Sequence, residues 1–200
     1  KPEIAVMNKK QQLRLEKYLD ERPSVTSVGI AISMYMGLRI GEVCALQWKE
    51  IDLEKRVLTV SKTIQRVQCR TGSKQTKLII TEPKSESSKR TIPIPDCLLP
   101  LLRRFKDNGE VYVVSGRKKP VEPRTMQYRF AKILHNADFP SFPYHSLRHL
   151  FATRCVELGF DVKTLSEILG HSSVEVTLNR YIHSDMERKR TCMSLLSKCA

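Results

Sequence analysis

The sequence predicts an α+β domain, mainly helical, with one small antiparallel β-sheet inserted near its first third. Two patterns carry that reading. Apolar residues recur at helical spacing over residues 8–46 and again after Pro95, whereas between Val57 and Ile94 the spacing switches to period two. No internal repeat or low-complexity tract interrupts the chain, and its 200 residues suffice for one substantial core.

In chain order, residues 8–20 and 24–36 read as helices separated by Glu21-Arg22-Pro23. The second is apolar nearly all round and should be a core helix. Gly37 supplies a stop, and residues 40–46 resume as a short helix ending near Trp48. Strands are expected over 57–60, 63–67, 78–81 and 90–94, and Pro93 and Pro95 put the last at an edge. Residues 69–77 form a basic polar loop, and 84–88 read as a hairpin turn. Helices follow over about 96–107, 124–136, 145–158, 162–169, 173–183 and 186–198. Asp161 is the expected N-cap of one, Gly159 and Gly170 are stops, and Ser172-x-x-Glu175 fits a capping box.

Composition narrows the function. Lys and Arg outnumber Asp and Glu by 35 to 21, a formal net charge of +14, which implies a polyanionic partner. A membrane fits poorly: the most apolar segment, Val25 to Leu38, is too short to span a bilayer and carries Thr26 and Ser27. The six cysteines are scattered without Cys-x-x-Cys, and Cys44 and Cys155 fall inside apolar helical patterns, as expected of reduced thiols in an intracellular protein. The opening Lys-Pro-Glu-Ile has neither an initiator Met nor a secretory apolar region, and reads as the start of an excised piece of a longer protein.

The chemistry concentrates in His145-Ser-Leu-Arg148, Gly170-His171 and Tyr181, joined by Arg39 and by Lys84 at the expected turn. Cations for phosphate oxygens, a proton acceptor, a proton donor and an oxygen nucleophile suit phosphoryl transfer on a DNA phosphodiester. His145 and Arg148 share a helix face, while Leu147, Phe151, Cys155 and Leu158 form a separate stripe; the polar pair is therefore expected away from the core. His145 and His149 have the spacing of a metal-binding helix. Arg148 lies between them and no Cys pair is near, so neither a metal nor a cofactor is expected. An unperturbed phenol, with a pKa of about 10, is ionised in only about one molecule in a thousand at pH 7. Tyr181 would need a base and cations beside it.

The run Gly37-Leu-Arg-Ile-Gly-Glu-Val-Cys-Ala-Leu-Gln-Trp48, then Pro83-Lys84, His145-Ser-Leu-Arg148-His-Leu-Phe-Ala-Thr153, Leu169-Gly-His-Ser-Ser173 and Tyr181, resembles the tyrosine recombinases, also called phage integrases. The likeness spans about residues 35–183 and is nearer to integrases of phages and conjugative transposons than to chromosome-dimer resolvases. It implies the DNA breaking-rejoining enzyme fold and a site-specific recombinase that acts through a 3′-phosphotyrosine intermediate, without metal or ATP. By position, Arg39 and Arg148 would grip the scissile phosphate, and Lys84 would protonate the leaving 5′ oxygen, with Lys89 across the turn as the other candidate. His145 would accept the phenol proton, His171 would bond the phosphate, Tyr181 would attack, and Glu42 would orient its neighbours.

The resemblance further implies double-stranded DNA as partner and a homo-tetramer on synapsed DNA assembled from a protein that can be monomeric when free. It also implies accessory DNA-bending or directionality factors, and a bacterial, nucleoid-associated location. Residues 1–200 would be one catalytic domain without the N-terminal DNA-binding domains, and residues 185–200 a helix exchanged between protomers. Two alternatives stay open on the residues alone. Residues 162–169 and 173–183 could form a non-catalytic helix-turn-helix module, and a type IB topoisomerase would use the same chemistry. A metal-dependent nuclease would need a carboxylate cluster that the sequence lacks.

Overall fold

The computed structural model describes residues 7–68, 76–82, 89–171 and 173–181 (of the last three, the backbone only), together with Arg190, Met193 and Ser194. It is a mainly helical α+β fold. The helices are α1 (Lys9–Glu21), α2 (Val25–Met36), α3 (Ile40–Ala45), α4 (Leu99–Phe105), α5 (Pro123–Asn136), α6 (Ser146–Glu157), α7 (Val162–Leu169) and α8 (Val174–Tyr181). The strands are β1 (Ile51–Asp52), β2 (Val57–Val60), β3 (Thr63–Gln68), β4 (Thr76–Thr81) and β5 (Arg90–Pro93).

Local chemistry accounts for the boundaries. Asn8 caps α1 reciprocally: its Oδ1 accepts the Gln11 N–H and Gln11 Oε1 accepts the Asn8 N–H, each at 2.9 Å. Ser24 Oγ accepts the Ser27 N–H at 3.1 Å to start α2, and Gly37 ends that helix at φ 68°. Asp161 Oδ1 accepts the Thr164 N–H at 2.9 Å, as its sequence position predicts. Ser172, the first residue of the expected capping box, lies outside the described residues.

The core helix is α2, buried over almost its whole length and packed against α3, α4, α5 and α6. The Tyr144 hydroxyl reaches into this packing, donating to Gly29 O at 3.1 Å and meeting Ser33 Oγ at 2.9 Å, while its ring stands edge-on to Phe130. Two partners for a buried phenol remove the cost of taking its hydroxyl from water.

The strands divide into two antiparallel sheets where one was expected: β1-β2-β5 and β3-β4. Only Ser61 and Lys62 separate β2 from β3, and the chain changes sheet there. β4 then pairs with its predecessor (Ile64 opposite Ile80), and β5 returns to β2 (Leu58 opposite Ile92). Residues 84–88, expected as a hairpin turn, lie outside the described residues, and no ladder joins β4 to β5 among those described. β5 is an edge strand, as its prolines require. The expected helix over 186–198 falls outside the described residues except at Arg190, Met193 and Ser194.

Candidate active site

The C-terminal end of α7 is where three arginines meet. Three consecutive carbonyls there accept hydrogen bonds from three arginines on three different elements. Arg90 Nε, from β5, donates to Ile168 O at 2.6 Å; Arg148 Nη2, from α6, to Leu169 O at 2.8 Å; Arg39 Nη2, preceding α3, to Gly170 O at 3.0 Å. These carbonyls form the negative end of the helix dipole and have no intrahelical partners, so guanidiniums satisfy both their charge and their hydrogen bonding. Arg148 Nη1 also donates to Gly37 O at 2.8 Å, which joins the end of α2 to the end of α7.

The backbone turn that exposes these carbonyls depends on Gly170, held at φ 64°. The Gly170 N–H bonds Glu167 O at 3.0 Å and the His171 N–H bonds Ser166 O at 3.1 Å, a closure that needs a left-handed residue between them. A Cβ at Gly170 would also come within 2.9 Å of Arg90 Nη1. His171 leaves this turn half-buried, its Nδ1 2.7 Å from Oγ1 of Thr177, itself buried in α8. Tyr181 is the last residue of α8, one helical turn beyond Thr177.

Glu42 sits between two of the guanidiniums, with only 4 % of its side chain exposed. Arg90 meets it twice, Nη1 to Oε1 at 3.1 Å and Nη2 to Oε2 at 2.9 Å, and Arg39 Nη1 meets Oε1 at 2.9 Å. Burial alone would raise the carboxyl pKa. The bonds and charge of Arg90, followed by those of Arg39, outweigh it and hold the group below the usual carboxylate range. Glu42 Oε2 also accepts the Arg39 N–H at 2.8 Å, fixing the start of α3.

The structure corrects one expectation. Arg148 is not on an open face: it is buried, 9 % exposed, while Leu158 of the supposed core stripe is 67 % exposed. The reason is that α6 is enclosed by α2, α7 and α8, so its polar face is interior too. Burying the guanidinium is tolerable because carbonyls from two helix ends receive it. His145, at the start of α6, is exposed; its ring lies 5.4 Å from that of buried His149 in an edge-to-face pair.

Lys84 lies outside the described residues. Lys89 is exposed and paired with Glu82 at 2.9 Å. Together with Lys163, Arg90 and His171 it lines a cleft of about 320 Å³ beside the α7–α8 turn. Tyr144, next to His145 in sequence, is excluded as a nucleophile: burial drives its pKa far up and its hydroxyl points into the core. Sequence reasoning missed Arg90. Its signal, a cation in period-two register on an edge strand, is what any solvated strand carries.

The family model described as the phage integrase family matches residues 5–188. The tyrosine recombinase XerC-like protein of Caldanaerobacter subterraneus subsp. tengcongensis is 33 % identical over 180 residues, covering 80 % of this chain and 46 % of that one. Tyrosine recombinase XerA of Pyrococcus furiosus is 34 % identical over 148 residues, covering 70 % and 44 %. Among solved structures, the Tn1549 transposon integrase in complex with circular intermediate DNA superposes with a TM-score of 0.76 at 26 % identity, covering 98 % of this chain and 68 % of that one. The chain spans about half the length of the curated relatives it matches. With a family match over nearly its whole length, and a fold to agree, the chain belongs to the phage integrase family.

Proposed function

We propose that this chain is the catalytic part of a site-specific DNA recombinase, which cuts and rejoins double-stranded DNA through a phosphotyrosine bond. The observation that carries the reading is the convergence of Arg39 and Arg148 on adjacent carbonyls beside His171, whose ring is tied to the helix ending in Tyr181. A helix pair that only reads a groove has no use for guanidiniums packed behind its turn.

In this reading the Tyr181 oxygen attacks the scissile phosphorus, its proton passing to His145. The P–O5′ bond breaks, and Lys84 protonates the departing oxygen. Arg39 and Arg148 neutralise the charge that grows on the non-bridging oxygens, where fixed donors act most strongly, and His171 adds a further bond. The 3′-phosphotyrosine conserves the energy of the phosphodiester, so a 5′ hydroxyl from a second strand reverses the step. Positioning and fixed charge suffice. Assembly as a homo-tetramer on two DNA sites, help from DNA-bending or directionality factors, and residence on the nucleoid all follow from the same reading.

The test is a nicked suicide DNA duplex incubated with the protein in EDTA and run on a denaturing gel. A covalent protein–DNA adduct is expected, and it should vanish in Tyr181→Phe. Persistence of the adduct in that variant, or cleavage that needs added Mg²⁺, would refute the reading. Joining of two DNA sites, rather than relaxation of one supercoiled circle, separates recombination from topoisomerase activity.

A further inference from the structure

We propose that Arg90 is a positioning residue for strand transfer: by neutralising Glu42 it leaves the charge of Arg39 available to the scissile phosphate. The inference rests on the strand-transfer reading above and adds a residue to which that reading gives no role.

The argument is one of charge. Glu42 is ionised inside the protein and faces two guanidiniums. Were Arg39 its sole counter-ion, the two would cancel, and in a weakly screened site the carboxylate would hold that guanidinium back from a phosphate. Arg90 takes both carboxylate oxygens in a fork and leaves the Arg39 guanidinium a single contact with Glu42, Nη1 to Oε1. The three groups then carry one net positive charge. The Arg90 side chain is 7 % exposed and that of Arg39 is 41 % exposed, so the surplus resides on the arginine that a substrate can reach. Arg90 Nε, on Ile168 O, also fixes the carbonyl just before the two on which Arg148 and Arg39 are seated. Lysine would supply the charge without the fork or the second contact. Arg90 acts through Glu42 and Arg39, not on the substrate.

The charge argument makes a prediction that a merely structural role does not: the effect of losing Arg90 depends on the charge of residue 42. Adduct formation would be followed in single turnover at saturating suicide DNA, with DNA affinity and melting temperature measured in parallel. The comparison covers wild type, Arg90→Lys, Arg90→Gln, Glu42→Gln and the Arg90→Gln/Glu42→Gln pair. Arg90→Gln should slow adduct formation by about thirtyfold or more with DNA affinity within about threefold of wild type, and Arg90→Lys should slow it by about tenfold. Against Glu42→Gln, the double variant should lose no more than about threefold, because no carboxylate remains to neutralise.

Equal losses from Arg90→Gln in both backgrounds, or a wild-type rate in Arg90→Gln, would overturn the inference while the strand-transfer reading stands. Should Arg90→Gln fail to fold, the comparison of Arg90→Lys with wild type and of the double variant with Glu42→Gln decides on the same criteria. A wild type that forms no adduct overturns the strand-transfer reading, and this inference falls with it.

Discussion

Glu42 is a carboxylate almost wholly removed from water, and guanidiniums on two sides make that tolerable. Removing Arg90 alone would leave Arg39 as its sole counter-ion and strip away two of its hydrogen bonds, which should cost less than the roughly 3–5 kcal/mol of a buried pair broken outright. Its pKa is lowered on folding, so its stabilising contribution is full above the ordinary carboxylate range and fades as pH falls through that range and then through the folded value. Urea unfolding of wild type and Glu42→Gln from neutral to acid pH should therefore give a stability gap that narrows towards acid, and a gap independent of pH would contradict the buried ionised state. Ser146 presents the reverse case: its hydroxyl is fully buried and has no hydrogen-bond partner among the described residues. Ser146→Ala should be neutral or stabilising by about 1 kcal/mol, since an unsatisfied group is removed with little change of volume; chemical denaturation checks it.

At the scale of elements, the end of α7 matters more than the body of any helix. Its turn is the seat of the arginines and the point from which His171 departs, so in the proposed function geometry there would set both stability and chemistry. Gly170→Ala forces a Cβ into the left-handed region, at about 1–2 kcal/mol, and against the Arg90 guanidinium as well. The expected result is a lower melting temperature together with slower adduct formation at unchanged DNA affinity. Asp161→Ala, at the other end of the same helix, loses only an exposed cap and should cost about 1 kcal/mol of stability without altering the rate in the folded fraction. A rate loss equal to that of Gly170→Ala would mean that helix stability, not the turn, controls the site.

For the molecule as a whole, the formal charge of +14 is the dominant long-range property. If DNA is the partner, binding releases counterions, and affinity should fall linearly on a log–log plot against salt, by about 10³–10⁵ between 50 and 200 mM for six to ten phosphate contacts. Fluorescence anisotropy at several salt concentrations measures this, and a flat dependence would remove the polyanion argument. Arg39→Gln should change the salt slope by no more than about one contact while slowing cleavage far more, because in the proposed reaction most of the cations would act by steering and only a few on the reacting phosphate.

Apart from β1, the order of the described helices and strands was legible in the sequence because it depends on local signals: the apolar spacing of α2, the stops at Gly37 and Gly170, the cap at Asp161 and the prolines that put β5 at an edge. The convergence of Arg39 and Arg148 beside the Gly170-His171 turn was foreshadowed in the same way, since those residues lie in short, characteristic runs. The sheet partners of β4 and β5 were not legible, because pairing is decided by which strand lies alongside and not by any single strand's pattern. Nor was the burial of Arg148, which follows from α6 being enclosed on several sides, or the part played by Arg90, whose carboxylate partner lies 48 positions away. Sequence by itself determined which cations the chain has and which elements bear them. Only the tertiary structure decided which carbonyls and which carboxylate receive them, because hydrogen bonding and charge balance in a buried site depend on distances that no local pattern encodes.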